Sequence, residues 1–456
     1  MNGDPRRVIR TLAYQLASFN SDYAEKLASQ IKRRPQITSS SFNAQFQHLL
    51  SEPLSSLAMS CDLGPIIIVL DALDECGDRE SRKELLRELS AGLSKLPSMF
   101  RVLIASRDEP DIRVALSRPN IDIRDVEIDD ESTMSDISQF FRCHLVSNSP
   151  AFVDYDLPPD WPGDQAIEEL VNRAGGLFIW ASTTIRFVEG GIPNQRLKKV
   201  LQASAHGEPH DKLDELYWVA LSHPFRSSDQ SEVELVCSIL GAIMVAREPL
   251  TDEQLSDLLN LELGDVRGIL SRLQPLLQWR RGAPVRVLHT SFTDFLCDVE
   301  RCRDSRWCIT ASTHHQNMVY GCLQVMRRDL KFNICGIETS YYRHKEIDGI
   351  QERIDAIITP VLMYAGQYWA DHLDFVSLSD SRSYLADAIM HFIEYQVLYW
   401  IEVFSLKNRM STVSVILKKV AIWTRVSLIR ARMPSFTDFT FVGLQSQTTN
   451  SDLRSI

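Results

Sequence analysis

The chain is 456 residues long and carries 49 Lys+Arg against 60 Asp+Glu, a formal net charge of -11. At roughly 150 residues per domain this length predicts about three domains. Hydrophobic residues at 44% and charged residues at 24%, with 19 Gly and 19 Pro, exclude collagen-like and low-complexity classes. The acidic excess excludes a general polyanion binder, so no nucleic-acid partner is expected.

The first element is an amphipathic helix in which Val8, Ile9, Leu12, Ala13, Leu16 and Ala17 share one face. The same N-terminal stretch lacks the apolar run of a signal peptide. Phe46, Leu49 and Leu50 mark a further helical stretch. The pattern then changes: Ile66, Ile67, Ile68, Val69 and Leu70 follow Gly64-Pro65 without a polar break. Such a run predicts a strand buried on both faces, the sign of a parallel sheet. A helix is expected over Ser81 to Leu96, a second buried strand over Val102 to Ala105, and a third strand alternating through Val126 and Ile128. Strand and helix in alternation predict an α/β doubly wound sheet.

The loop from Ser147 to Gly163 holds four prolines and suggests a domain boundary. Beyond it the chain reads as helical. Ile239 to Ala246 is about its longest apolar run, too short to span a bilayer and suited to a buried helix. Thr251 with Gln254 forms a capping-box signal. A helix from Val266 to Leu273 follows, and then two strand-like segments flank a Gly-Ala-Pro turn, which is the winged-helix order. The final third is helical and rich in aromatics. Lys407, Arg409, Lys418, Lys419, Arg425, Arg430 and Arg432 make its end basic, read as a solvated helix face. The tail is polar and expected to be disordered.

Nine cysteines in a chain of this length do not make a disulfide framework. Cys297, Cys302, Cys308, His314, His315 and Cys322 cluster in sequence, but without zinc-site spacing. The sharpest motif is IIIVLDALDEC. A buried strand delivers Asp71 at its carboxyl end, with Asp74 and Glu75 just after it. Open α/β sheets bind ligands at that edge. There one carboxylate can hold a hydrated Mg²⁺ and another can orient water. Ser106 and Arg107 follow the second strand, and a guanidinium at the same edge suits phosphate oxygens.

In this order VIRTLAYQLA, IIIVLDALDECGD, RVLIASRDEPDI, AGGLFIWASTTIRF and VRVLHTSFTDFLCD resemble fungal NACHT-domain proteins of the STAND class of signal-transduction NTPases, the broad group of NOD-like receptors. The resemblance runs from about residue 5 to about 300. It implies a partial P-loop NTPase sheet lacking its first strand over 1–146, a helical subdomain over 147–225 and a winged-helix subdomain over 226–303; beyond it the residues themselves predict an α-helical region over 304–440 and a disordered tail over 441–456. Asp71 then matches the Mg²⁺-associated aspartate, Asp74 or Glu75 the acid that positions water, Arg107 a sensor arginine and His289 a histidine that touches nucleotide phosphate. Gly175 and Gly176 match the start of a motif that often has proline where this chain has Phe178.

The implied cofactor is ATP or GTP with Mg²⁺. The implied setting is cytoplasmic, with protein partners and self-oligomerisation. One departure is plain: the phosphate loop G-x-x-x-x-G-K-[ST] is absent, and no Gly-Lys dipeptide occurs anywhere. The expectation is therefore a truncated or degenerate member that does not hydrolyse nucleotide as it stands. The alternatives are an interaction scaffold built on the C-terminal helices, or an active NTPase whose phosphate loop lies upstream of this sequence.

Overall fold

A computed structural model describes residues 5–37, 40–57, 65–77, 79–93, 96, 99–126, 130–147, 149–203, 209–226, 228–302, 304–338, 341, 346–376 and 384–426. The chain divides into two compact units, Met1–Glu127 and Ile128–Ile456. The layout is a small α/β unit followed by a helical one.

The first unit opens with the helices Arg6–Phe19 and Ser21–Arg33. Asn20 ends one and caps the next, its side chain accepting from the Tyr23 N–H at 2.8 Å. A broken helical stretch runs Phe42–Gln45, Phe46–Ser51 and Glu52–Leu57, with a π turn in the middle. The turn sets Phe46, Leu49 and Leu50 in the core, and the buried Tyr23 hydroxyl donates to the Leu49 carbonyl. β1 (Ile66–Leu70) leads through the helix Arg79–Gly92 to β2 (Phe100–Ile104). The two strands pair in parallel, Ile66 opposite Phe100 and Leu70 opposite Ile104. Leu85, Leu86 and Leu89 pack with Ile68 and Phe100 in one core that also takes in Ile9, Ala13 and Leu16.

Two strand expectations need correction. β1 and β2 are not buried on both faces: Ile68 is 8% exposed, but Ile67, Val69 and Leu103 are 67%, 56% and 60% exposed. The aliphatic run makes a strand, but only one of its faces meets a described helix. The third strand is also missing over 121–126, where the backbone is irregular and Val126 is 86% exposed. Alternating side chains do not make a strand without a neighbour to complete the ladder, and there Asp125 instead pairs with Arg113 at 2.6 Å. Ile128 lies outside the described residues. The sheet among the described residues is therefore two-stranded and parallel.

In the second unit the helix Glu131–His144 packs with Asp164–Ala174 and Phe178–Glu189. The proline-rich loop between them is anchored in this core by buried Phe152 and Trp161, and the Trp161 indole donates to Asn194 at 2.7 Å. The break between the compact units thus precedes the loop. Pro193–Gln202 and Pro209–Ser222 complete this group, and Gln230–Val245 follows with Ile239–Ala246 buried as expected.

Thr251 and Gln254 form the anticipated reciprocal capping box on the helix Asp252–Leu259. Leu263–Arg272 follows, then a short antiparallel hairpin of β3 (Leu277–Gln278) and β4 (Arg286–Val287). The remaining helices are Thr290–Cys297, Val299–Cys302, Ala311–Asp329, Ile350–Ile357, Pro360–Leu373, Tyr384–Tyr395, Val397–Leu406 and Met410–Val426. Val413, Ile416 and Val420 bury one side of the last helix. Two of the basic residues face intrachain acids: Lys419 meets Asp371 and Asp374, while Lys407, just ahead of the helix, pairs with Asp355 at 2.8 Å; Lys418 is exposed. Arg430, Arg432 and the 441–456 tail lie outside the described residues. No described helix is long and apolar enough to cross a membrane.

Candidate functional site

β1 ends at Leu70 and delivers Asp71 to the carboxyl edge of the sheet. The chain then turns sharply. Ala72 sits in the left-handed region at φ 53°, ψ 51°, a position that costs a non-glycine residue about 1–2 kcal/mol. Backbone bonds from the end of β2 hold the turn: the Ala105 N–H donates to the Leu70 carbonyl at 2.9 Å, and the Leu73 N–H donates to the Ala105 carbonyl at 3.1 Å. Gly77 closes it at φ 74°, where an added Cβ would lie 2.4 Å from the Ser81 hydroxyl.

The turn decides which carboxylate is available. Asp74 is folded inward, its side chain 10% exposed. One of its oxygens accepts the Arg107 backbone N–H at 3.0 Å, and the other lies 3.5 Å from the Arg107 guanidinium. The expected water-positioning acid and the expected sensor arginine therefore meet each other. Asp71 is exposed and finds no side-chain partner among the described residues. Glu75 is half-buried in the short 3-10 turn Leu73–Glu75. Ser106, beside Arg107, donates its hydroxyl to the Arg107 carbonyl at 2.8 Å.

Beneath the turn lies a brace that the sequence reading missed. Arg82, 5% exposed, donates to the Asp74 carbonyl at 2.6 Å and grips Asp111 through two bonds of 2.8 and 2.9 Å. The guanidinium holds the Asp111 carboxyl below its ordinary range, mainly through these bonds. Arg82 shares the inward stripe of its helix with Leu85, Leu86 and Leu89. A charged residue at an apolar stripe position was the signal that could have found it.

Among the described residues, Asp71 is the aspartate at this edge left open to a metal. Among the described residues no group of three or more His, Cys, Asp or Glu side chains could hold an ion. Mg²⁺ can be carried on one or two carboxylates only when substrate phosphates and waters complete its shell.

The other expected residues lie in the second unit. His289 is the N-cap of Thr290–Cys297: its Nδ1 accepts from the Ser291 N–H at 3.2 Å and lies 2.6 Å from the Ser291 hydroxyl. That hydroxyl in turn lies 2.7 Å from the buried Tyr217 hydroxyl, and burial pushes the phenol up to about 12. Gly175 and Gly176, at φ 53° and 80°, carry the chain out of one helix toward the next, which begins at a 44% exposed Phe178. The Cys–His cluster of the sequence divides: Cys297, Cys302 and Cys308 stay near one another, while the rest find other neighbours. His314 lies against Gly241, His315 pairs with His372 at 2.8 Å, and Cys322 is fully buried.

Residues 2–107, the stretch that contains β1, the Asp71–Glu75 turn, β2 and Arg107, match the family described as Nephrocystin 3, N-terminal. This is not the NACHT family named by the sequence resemblance. Among curated proteins, none matches the chain.

Proposed function

We propose that this chain is a NACHT-like signal-transduction protein of the STAND class. In this reading its first unit keeps the acidic strand edge of a nucleotide-gated switch, and the chain does not hydrolyse ATP or GTP by itself. The observation that carries the reading is Asp71: an exposed carboxylate at the carboxyl end of a parallel strand, without a side-chain partner among the described residues, ahead of a turn held in a left-handed conformation. Strain of this kind persists where surrounding structure imposes it, and it clusters at functional turns. Asp71 would take the metal side of a Mg²⁺–nucleotide. Asp74 could orient water only after releasing Arg107. The silence toward hydrolysis follows from the missing Gly-Lys dipeptide, because without a phosphate cradle and its lysine the triphosphate loses its main anchor.

The test is a calorimetric titration of the full chain with MgATP and MgGTP, alongside a phosphate-release assay. The expected outcome is no release above buffer and no saturation below the millimolar range. A micromolar, Mg²⁺-dependent affinity that disappears in Asp71→Asn would overturn the silent reading and favour a working switch.

A second reading, a protein-interaction scaffold in the C-terminal helices, is favoured by large apolar side chains left in solvent. Phe332 is 78% exposed, Leu398 66% and Tyr395 64%, and Phe332 stands edge-on to Tyr399. Sedimentation of the full chain beside a Phe332→Ser/Leu398→Ser variant tests it. Self-association that the variant loses supports the scaffold, and identical monomeric behaviour counts against self-association through this surface.

A further inference from the structure

Guanidiniums drawn into this protein generally hold a carboxylate. Arg82 has Asp111, Arg267 has Asp252, Arg301 has Asp214 and Arg173 has Glu169. One basic cluster in the second unit breaks that pattern. Arg196 and Lys199 lie one helical turn apart on Pro193–Gln202 and so face the same way. The short turn His223–Phe225 brings His223 against them, with Arg226 directly after it.

The contacts within the cluster join like to like. Lys199 Nζ stands 2.8 and 2.9 Å from the two ring nitrogens of His223. An ammonium has no acceptor, so the pair is tolerable only while the imidazole is neutral. Arg196 spends one N–H on the Phe187 carbonyl at 2.6 Å and lays its guanidinium 4.9 Å over the Phe187 ring. The same ring stands edge-on to His223 at 5.7 Å. Among the described residues no carboxylate forms a hydrogen bond or ion pair with Arg196, Lys199, His223 or Arg226. Burial pushes the His223 imidazole and the Lys199 ammonium below their usual ranges, and the neighbouring cations push them further. Only the Tyr155 phenol acts the other way, and it acts on Arg196.

We propose that Arg196, Lys199, His223 and Arg226 form a binding site for a phosphate dianion, either free inorganic phosphate or the phosphate of a small organic monoester. A half-buried group of cations without a counter-ion is stabilised by any anion that enters it, most of all by one offering several acceptor oxygens and two negative charges. A carboxylate brings one charge and two oxygens. A phosphate can accept from Lys199, from a protonated His223 and from the exposed Arg226 at once. It would replace the ammonium–imidazole contact by two charge-assisted bonds and draw a proton onto His223. All four residues lie in the second unit, and no nucleotide or Mg²⁺ takes part in the site.

The experiment uses the full chain at constant ionic strength, with chloride exchanged for inorganic phosphate and, in parallel, for phenyl phosphate. Thermal unfolding and the ¹³C resonance of the His223 ring, assigned from His223→Gln, are followed together. The expected result is a saturable rise in Tm with an upward move of the His223 titration by at least one pH unit. Arg226→Gln, at an exposed position, weakens the phosphate response at least tenfold. Lys199→Gln raises the His223 titration even without phosphate. Saturation by phenyl phosphate at lower concentration than by inorganic phosphate identifies an organic monoester; the reverse order identifies the free ion. A response no larger than that to chloride, or equal affinity in wild type and Arg226→Gln, overturns the proposal.

Discussion

Two glycine-to-alanine substitutions should have opposite signs, and the structure says why. Gly321 lies in the helix Ala311–Asp329, where it meets the helix Asp252–Leu259. A Cβ placed on it would stand 2.0 Å from the Leu258 carbonyl oxygen and 3.0 Å from the carbonyl carbon. Ordinary contact begins at 3.4 Å, so the helices would have to part by roughly 1.4 Å. No side chain can rotate out of the way, because the obstacle is backbone. Met318, Val319, Cys322 and Met326 on one helix and Leu255 and Leu258 on the other are all at most 2% exposed, so parting opens packed core. Overpacking costs about 1–3 kcal/mol and occasionally more, while alanine's helix preference returns about 1 kcal/mol. Imposing the clash on backbone puts the cost at the upper end, for a net loss of about 2 kcal/mol or more. Gly268, in the middle of Leu263–Arg272, has nothing within 4 Å of its virtual Cβ. There alanine keeps the propensity gain, about 0.5–1 kcal/mol of added stability. Urea unfolding followed by far-ultraviolet circular dichroism on the full chain compares the pair. A Gly321→Ala protein as stable as wild type would refute the close approach of the two helices, and a destabilised Gly268→Ala would refute the open surface.

Other outcomes follow from buried charge. His315 and His372 share a hydrogen bond of 2.8 Å, with Tyr364 3.1 Å beyond His372, Phe375 stacked on His315, and Arg247 and His314 nearby. Burial first, then the neighbouring charges, hold His372 well below its usual range and His315 at about 4 against 6.5. Because the folded state resists these protons, their contribution is complete above pH 6.5 and is lost as pH falls toward 4, roughly 3 kcal/mol for His315 at most. Denaturant titrations between pH 7.5 and 4.5 should show that slope flattened in His315→Gln; an unchanged slope would count against the buried pair. Arg82→Met should cost about 1–3 kcal/mol, because it leaves the half-buried Asp111 carboxylate and the Asp74 carbonyl without their donor. Adding Asp111→Leu should restore much of that loss, and a double variant no better than the single would show that the ion pair is not what matters.

The limits of the sequence reading have physical causes. The helix Ser21–Arg33 escaped notice because its apolar stripe is thin: among its side chains only Tyr23 and Leu27 are buried. Its start was written in Asn20, a capping residue whose bond to the Tyr23 N–H needs no hydrophobic period to be read. The aliphatic run of β1 announced a strand correctly, since branched side chains suit that backbone. What covers the strand depends on elements far away in sequence, and so Ile67 and Val69 came out exposed. His289 shows the same limit at a smaller scale, as a histidine at a strand end also suits the helix that begins just after it, and Nδ1 takes the cap.

The carboxyl edge of the sheet shows how near the sequence came. Parallel register puts Leu70 opposite Ile104, so whatever follows β1 and β2 must meet at one edge. That much could be read from two aliphatic runs joined by a helix. The sequence presents three carboxylates and an arginine there as four groups awaiting a ligand. In the folded chain the charges first answer each other. The left-handed Ala72 turns Asp74 toward the Arg107 backbone, Arg82 pins the Asp74 carbonyl from below, and Asp71 is left facing solvent. Residue type and spacing located the edge. Only the turn, whose cost appears in no hydrophobic pattern, distinguished the carboxylate that is committed from the one that remains available.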